Sequence, residues 1–91
     1  MTYRVFNTKD ADRDLARLAK SDPKFFQKAQ QLLEELRTHP RTGTGQPEPL
    51  RGNRRGQWSR RISQKHRLVY TIHDDVVVVL VLAAYGHYGD K

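Results

Sequence analysis

Seven consecutive aliphatic residues, Val76-Val77-Val78-Val79-Leu80-Val81-Leu82, stand in a chain that is otherwise rich in charge. β-Branched side chains favour packed, pleated surfaces, and a run without polar alternation reads as a strand buried on both faces. It is too short to be a transmembrane helix, which takes roughly 20 residues. The first residues, Met1 to Phe6, carry no apolar leader segment. With 91 residues and no cysteine, the expectation is one domain over 1–91 with a modest core, no disulfide and no thiolate metal site. A reducing cytoplasm, with no membrane contact, is the expected compartment.

The rest of the chain supplies what such a strand packs against. Tyr3 to Phe6 reads as a short strand. A helix follows, its start marked by Asn7, Thr8 and Asp10 and its apolar stripe by Ala11, Leu15, Leu18 and Ala19. Asp22-Pro23 restarts the chain, with Asp22 suited to cap a second helix and Pro23 to its first position. That helix carries Phe26, Ala29, Leu33 and Leu36 on one stripe and fades near His39, because Pro40 disfavours helical geometry before it. Residues 40–49 hold too much Gly and Pro for regular structure. Gln57 to Ser63 and His66 to His73 then alternate as two strands of a hairpin, Asp74-Asp75 makes a turn, and the aliphatic run follows. The order predicts an α+β domain: an N-terminal strand and two helices packed on one face of a mostly antiparallel, twisted sheet.

Charge is distributed as unevenly as hydropathy. The chain carries +7, yet Arg37 to Arg67 alone holds nine basic residues (Arg37, Arg41, Arg51, Arg54, Arg55, Arg60, Arg61, Lys65, Arg67) against one acid, Glu48. A surplus of eight in one third of the length makes a one-sided positive field, suited to a polyanion such as nucleic acid. A solvated Arg-rich face is the plainer alternative.

Within that segment some residues carry chemistry. If the hairpin folds about Gln64, Arg61 and Arg67 fall opposite each other on one sheet face. Like charges there repel unless solvent screens them or an anion sits between, and phosphate fits the forked guanidinium. Glu48 lies between Pro47 and Pro49, which stiffen the backbone around it; it could be a catalytic carboxylate or one that ties down a loop. Arg51, Arg54 and Arg55, in a Gly-flanked turn, suit phosphate contacts from an exposed loop. Trp58 alternates with Ile62 and reads as a core anchor more than a base-stacking platform. His87, followed by Tyr88, lies just beyond the aliphatic strand, and histidine both gives and takes protons near neutral pH. His39, His66 and His73 show no clear partner, and no metal-ligand spacing occurs. No metal and no cofactor is expected.

Four ordered motifs resemble the YoeB/Txe branch of the RelE-type toxins: Gly45-Gln46-Pro47-Glu48-Pro49-Leu50, Gly56-Gln57-Trp58-Ser59-Arg60-Arg61-Ile62, His66-Arg67-Leu68-Val69-Tyr70 and His87-Tyr88. The resemblance is dense from about Arg41 to Tyr88, and the helical half agrees in layout. It departs at Tyr85-Gly86, where relatives tend to carry a basic or aromatic pair, and at Gly89-Asp90-Lys91, where they usually stop. What it implies is a RelE-like fold, a homodimer, a YefM-like antitoxin whose C-terminal segment wraps the toxin, and metal-independent cleavage of messenger RNA in the ribosomal decoding site. It assigns the general base to Glu48, phosphate stabilisation to Arg67, the general acid to His87 and a supporting role to Tyr88. Arg61 in the Trp-Ser-Arg-Arg stretch joins them as a phosphate contact. Two other classes stay open: a ParE-like gyrase poison without nuclease chemistry, which would not need Glu48, Arg67 and His87 together, and a basic RNA-binding module that cuts nothing.

Overall fold

The computed structural model describes residues 2–86, and within them the chain forms five strands and two helices. Strand β1 (Arg4–Asn7) leads into α1 (Lys9–Ser21) and α2 (Pro23–Leu36); β2 (Glu48–Pro49), β3 (Gln57–Arg61), β4 (Arg67–His73) and β5 (Val78–Ala83) follow. The sheet order is β1-β5-β4-β3-β2. Only the β1–β5 pair is parallel, and the other three are antiparallel. This is the α+β arrangement that the sequence predicts. No helix among the described residues is long and apolar enough to cross a membrane.

Local chemistry explains the element boundaries. The Thr8 hydroxyl accepts from the Ala11 N–H at 3.1 Å and so caps α1, which satisfies one of the donors a helix start leaves open. Pro23 occupies the start of α2 as expected, but the Asp22 side chain makes no cap hydrogen bond. The helix instead turns Leu32 rather than Leu33 fully inward, beside Ala29 and Leu36.

The core lies between the helices and one sheet face. Ala11, Leu15 and Leu18 of α1 and the buried residues of α2 meet Ile62, Leu68, Tyr70, Val79, Val81 and Ala84. Trp58 packs against this core from a half-buried position. Here the structure corrects the reading of the aliphatic run. Val76 and Val77 belong to the turn, Val77 with φ of +54°, and the strand begins at Val78. It is covered on one face only: Val79 and Val81 are buried, while Val78 and Leu80, which alternate with them, stay half-buried. Phe6, beside Leu80 in the β1–β5 register, is 45% exposed. The uniform run hides an ordinary one-sided alternation because both faces happen to carry aliphatic residues.

Candidate active site

The site is built on the β2 side of the sheet, on the face turned away from the helices. In the antiparallel register Glu48 opposes Ser59, Ser59 opposes Val69, and Arg61 opposes Arg67. Cross-strand partners share a face, so these side chains form one patch. The Arg61–Arg67 opposition is the register expected from a hairpin centred on Gln64. One guanidinium nitrogen of Arg67 donates to Glu48 Oε1 at 3.4 Å, a long ion pair between a largely buried cation and a half-exposed carboxylate. Arg61 is exposed on the same patch. The hydroxyl of Ser59, directly across from Glu48, is buried and makes no hydrogen bond among the described residues.

The loop that delivers Glu48 is organised by a residue whose role the sequence hid. Arg60, fully buried, points to the helical side of β3, and its guanidinium gathers the loop carbonyls. It donates to the His39 carbonyl, to the Thr42 carbonyl at 2.7 Å and the Thr44 carbonyl at 3.3 Å, to Glu35 Oε1 at 2.5 Å and to the Tyr70 hydroxyl at 3.1 Å. Tyr70 in turn donates to the Pro40 carbonyl at 2.8 Å. Glu35 also accepts from the Thr44 N–H and hydroxyl at 2.7 and 3.0 Å. Burial pushes the Glu35 carboxyl up, but the Thr44 hydrogen bonds and the Arg60 guanidinium outweigh it and hold it below its ordinary range. Burial raises the Tyr70 phenol. The Arg61 N–H closes the loop on the Gly45 carbonyl at 2.7 Å, and Glu48 joins the sheet three residues later. Glycine is required at Gly43, with φ of +106°, because a Cβ there would lie 2.4 Å from Glu35 Oε1.

This corrects the charge map. Arg60 lies in the core paired with Glu35, Arg41 pairs with Asp74 at 2.7 Å, and Arg37 with Glu34 at 3.6 Å, so none of the three adds a free cation to the surface field. The positive face is narrower than the sequence count and centres on the β2–β3 loop, Arg61 and Lys65. In that loop Arg51 and Arg55 are exposed around a single 3₁₀ turn, while Arg54 is half-buried and donates to Gln57 Oε1 at 3.2 Å.

The chain returns to the patch after β5. The Arg67 N–H donates to the Gly86 carbonyl at 3.0 Å, and the Gly86 N–H donates to His66 Nδ1 at 2.8 Å. Thus Gly86, the residue that precedes His87, is held beside Arg67. His87 and Tyr88 themselves lie outside the described residues. His66 therefore has partners that its sequence position did not suggest; His39 and His73 contact Thr38 and Thr71 at 2.8 and 2.9 Å. Among the described residues no group of three or more His, Cys, Asp or Glu side chains is placed to hold a metal ion. The patch thus offers a carboxylate and two guanidinium groups, a set that suits acid–base chemistry on an anionic ester.

Residues 7–88 match the family described as the YoeB-like toxin of bacterial type II toxin-antitoxin systems. The chain belongs to that family. The Toxin YoeB of Escherichia coli K12 is 43% identical over 68 residues, 75% of this chain and 79% of the relative. Two solved structures from Staphylococcus aureus share the fold. A YoeB dimer superposes with a TM-score of 0.80 at 31% identity, over 97% of this chain and 100% of its own. A YoeB–YefM complex gives 0.78 at 30% identity with the same coverage. The family match spans Glu48, Arg61 and Arg67 and reaches His87 and Tyr88.

Proposed function

We propose that this toxin is a ribosome-dependent messenger RNA endoribonuclease of the cytoplasm, neutralised by a YefM-like antitoxin and forming a homodimer. The observation that carries the catalytic part is the Glu48–Arg67 ion pair, set across from Arg61 on the sheet face turned away from the helices. Metal-free RNA scission needs a base to take the 2′-hydroxyl proton as that oxygen attacks phosphorus. It needs a cation for the charge of the phosphorane and an acid to protonate the 5′-oxygen as its bond to phosphorus breaks. Glu48 is the base, Arg67 the stabilising cation and His87 the acid, with Tyr88 supporting it. Arg61 binds the phosphate, and Arg51, Arg54 and Arg55 hold the RNA backbone and ribosomal RNA.

The antitoxin and the dimer rest on family membership and on the Staphylococcus aureus structures, which show YoeB with YefM and YoeB as a dimer. A patch with one carboxylate engaged by a cation is not by itself a fast nuclease, and positioning by the ribosome supplies what it lacks. Well-oriented intramolecular reactions recover roughly 7 to 11 kcal/mol of barrier.

Primer extension on translated messenger RNA, with and without ribosomes, tests the reading. Cleavage is expected with ribosomes, and none of the DNA counterpart, which lacks the 2′-hydroxyl. Single-turnover rates on free and ribosome-bound RNA that agree within about tenfold would overturn the dependence on the ribosome. Loss of translation without any cut messenger would favour a non-nuclease poison.

A further inference from the structure

We propose that His66 is a positioning residue whose neutral imidazole fixes the backbone of Gly86, the residue from which the chain runs into His87. This rests on the catalytic reading above for its consequence, though its geometry stands alone. The two peptide groups that flank the Gly86 Cα are gripped by consecutive residues: the Gly86 N–H donates to His66 Nδ1 at 2.8 Å, and the Gly86 carbonyl accepts from the Arg67 N–H at 3.0 Å. The same two-residue unit therefore orients the Arg67 cation and the base of the terminal segment.

The surroundings hold His66 in place. It is 7% exposed; its backbone N–H donates to Ser63 Oγ, and its carbonyl accepts from the Ile62 and Ser63 N–H groups of the hairpin turn. The Tyr85 ring packs on the imidazole with centroids 4.2 Å apart, and the Arg17 guanidinium of α1 lies 4.2 Å from the centroid of that same Tyr85 ring. Two residues before Gly86, the Ala84 N–H donates to Asp14 Oδ2 at 3.0 Å, a second anchor of the segment on α1. Gly86 itself has φ of +82°, a conformation that glycine adopts freely.

An imidazole accepts at Nδ1 only when that nitrogen carries no proton, so the grip requires the neutral form protonated at Nε2. Burial, the largest influence, disfavours the imidazolium; Asp22 from the helix junction favours it, while Lys65 of the turn and Arg17 of α1 oppose it. The net result holds His66 below its ordinary value of 6.5 and keeps the acceptor intact at neutral pH. On acidification Nδ1 becomes a donor facing a donor, and the Gly86 N–H is released. His66 is nearly buried and acts through Gly86, not on the RNA.

The test uses the full-length protein and two variants. In His66→Asn the side-chain oxygen takes the place of Nδ1, accepts from Gly86 and cannot be protonated. In His66→Phe the ring remains and the acceptor is lost. Imidazole ¹⁵N shifts of the free protein should show an unprotonated Nδ1, and the Gly86 amide should titrate together with His66 in the wild type but not in His66→Asn. On ribosome-bound messenger, His66→Phe should lose roughly tenfold to a hundredfold in kcat with KM unchanged, the scale of a misplacement of about 1 Å. His66→Asn should keep near-wild-type kcat at neutral pH, and the ratio of wild-type to His66→Asn rate, in which Glu48 and His87 cancel, should fall as pH drops through the His66 titration. A protonated Nδ1, a Gly86 amide indifferent to His66, or a rate ratio flat with pH would each overturn the proposal. If His66→Phe does not fold, the His66→Asn ratio and the Gly86 titration decide. Absence of cleavage by the wild type would overturn the nuclease reading instead, and the Gly86 titration on the free protein separates the two failures.

Discussion

Replacing Arg60 by methionine should remove much of the folding free energy of this small domain, although the residue lies in a segment whose charge suggests a surface role. The guanidinium is fully buried and serves five acceptors: three loop carbonyls, the Glu35 carboxylate and the Tyr70 hydroxyl. Removing one partner of a buried ion pair costs about 3–5 kcal/mol, because the other charge and its acceptors are left uncompensated. Two features keep the value inside that range rather than at the sum of five bonds. Glu35 is 28% exposed and keeps its two Thr44 hydrogen bonds, and an exposed loop can admit water to the freed carbonyls. Against a total stability of about 5–15 kcal/mol, the loss is large. At about 4–8 °C per kcal/mol for a chain of this size, the thermal midpoint should drop by at least about 12 °C. Urea unfolding of wild type, Arg60→Met, Glu35→Gln and the double variant measures it. Glu35→Gln should cost less than Arg60→Met, since the amide oxygen still accepts from Thr44 and Arg60, but it leaves the buried guanidinium without its counter-charge and so should lose more than a neutral hydrogen bond's worth, about 1 kcal/mol. Arg60→Lys should also fall short of the full loss, because an ammonium keeps the charge but cannot span acceptors that a planar fork reaches. Stability of Arg60→Met within about 1 kcal/mol of wild type would refute the claim that this residue holds the loop carrying Glu48.

Four further outcomes are expected. Glu48→Gln and Arg67→Ala should each lower ribosome-dependent cleavage by about 10²- to 10⁴-fold; Glu48→Gln should leave the thermal midpoint almost unchanged, since a half-exposed ion pair contributes about 0–1 kcal/mol. Charge reversal of Arg51, Arg54 and Arg55 to Glu should weaken ribosome binding and flatten its dependence on salt, read from titrations at several ionic strengths; an unchanged slope would make the turn a mere solvated loop. Gly43→Ala should destabilise by at least about 1 kcal/mol, because a Cβ at φ of +106° strains the backbone and meets the Glu35 carboxylate. For pH, His66, Glu35 and Asp74 are all held below their ordinary values of 6.5, 4.5 and 3.8, so the unfolded chain takes up each proton first. The contribution of His66 is complete above about 6.5 and is lost as pH falls toward its folded value; those of the carboxyls are complete above their ordinary values and are lost at more acid pH. Urea midpoints that do not move between neutral pH and the lower end of the histidine range would contradict the His66 assignment.

Local pattern was enough to read most of the fold from the sequence, and tertiary competition explains where it failed. The caps and stripes located both helices, the alternation of Trp58, Arg60 and Ile62 against Ser59 and Arg61 separated the two faces of the strand, and a hairpin centred on Gln64 set Arg61 opposite Arg67. That same alternation put Arg60 on the inward face. Charge counting nevertheless treated it as part of the surface, because its acceptors are carbonyls at 39, 42 and 44 and a carboxylate at 35, which no local window relates to position 60. The aliphatic run was misread for the opposite reason: Val78 and Leu80 are apolar without being fully covered, so composition erased the alternation that would have shown a one-sided strand. His66 lacked a signal because its partner lies 20 residues away at a glycine, and a backbone N–H leaves no trace in side-chain pattern.

The arrangement of β2, β3 and β4 explains how so small a chain tolerates a site full of like charge. Opposed guanidinium groups destabilise a sheet, and Arg61 and Arg67 oppose each other near the end of the hairpin. The fold offsets that repulsion locally with Glu48, and globally by keeping the core on the other face, where Ile62, Leu68 and Tyr70 fix the register of the same strands. Because the period of a strand is two, a register held by the inward residues also dictates which outward residues meet. Packing of the inward residues against the helices thus sets which outward residues meet in the patch. The 3.4 Å Glu48–Arg67 contact is long for a charge-assisted hydrogen bond and half open to solvent. On the proposed reaction, a phosphate bound between Arg61 and Arg67 would screen the arginine pair and compete with Glu48 for the Arg67 guanidinium, which would leave the carboxylate available to the 2′-hydroxyl.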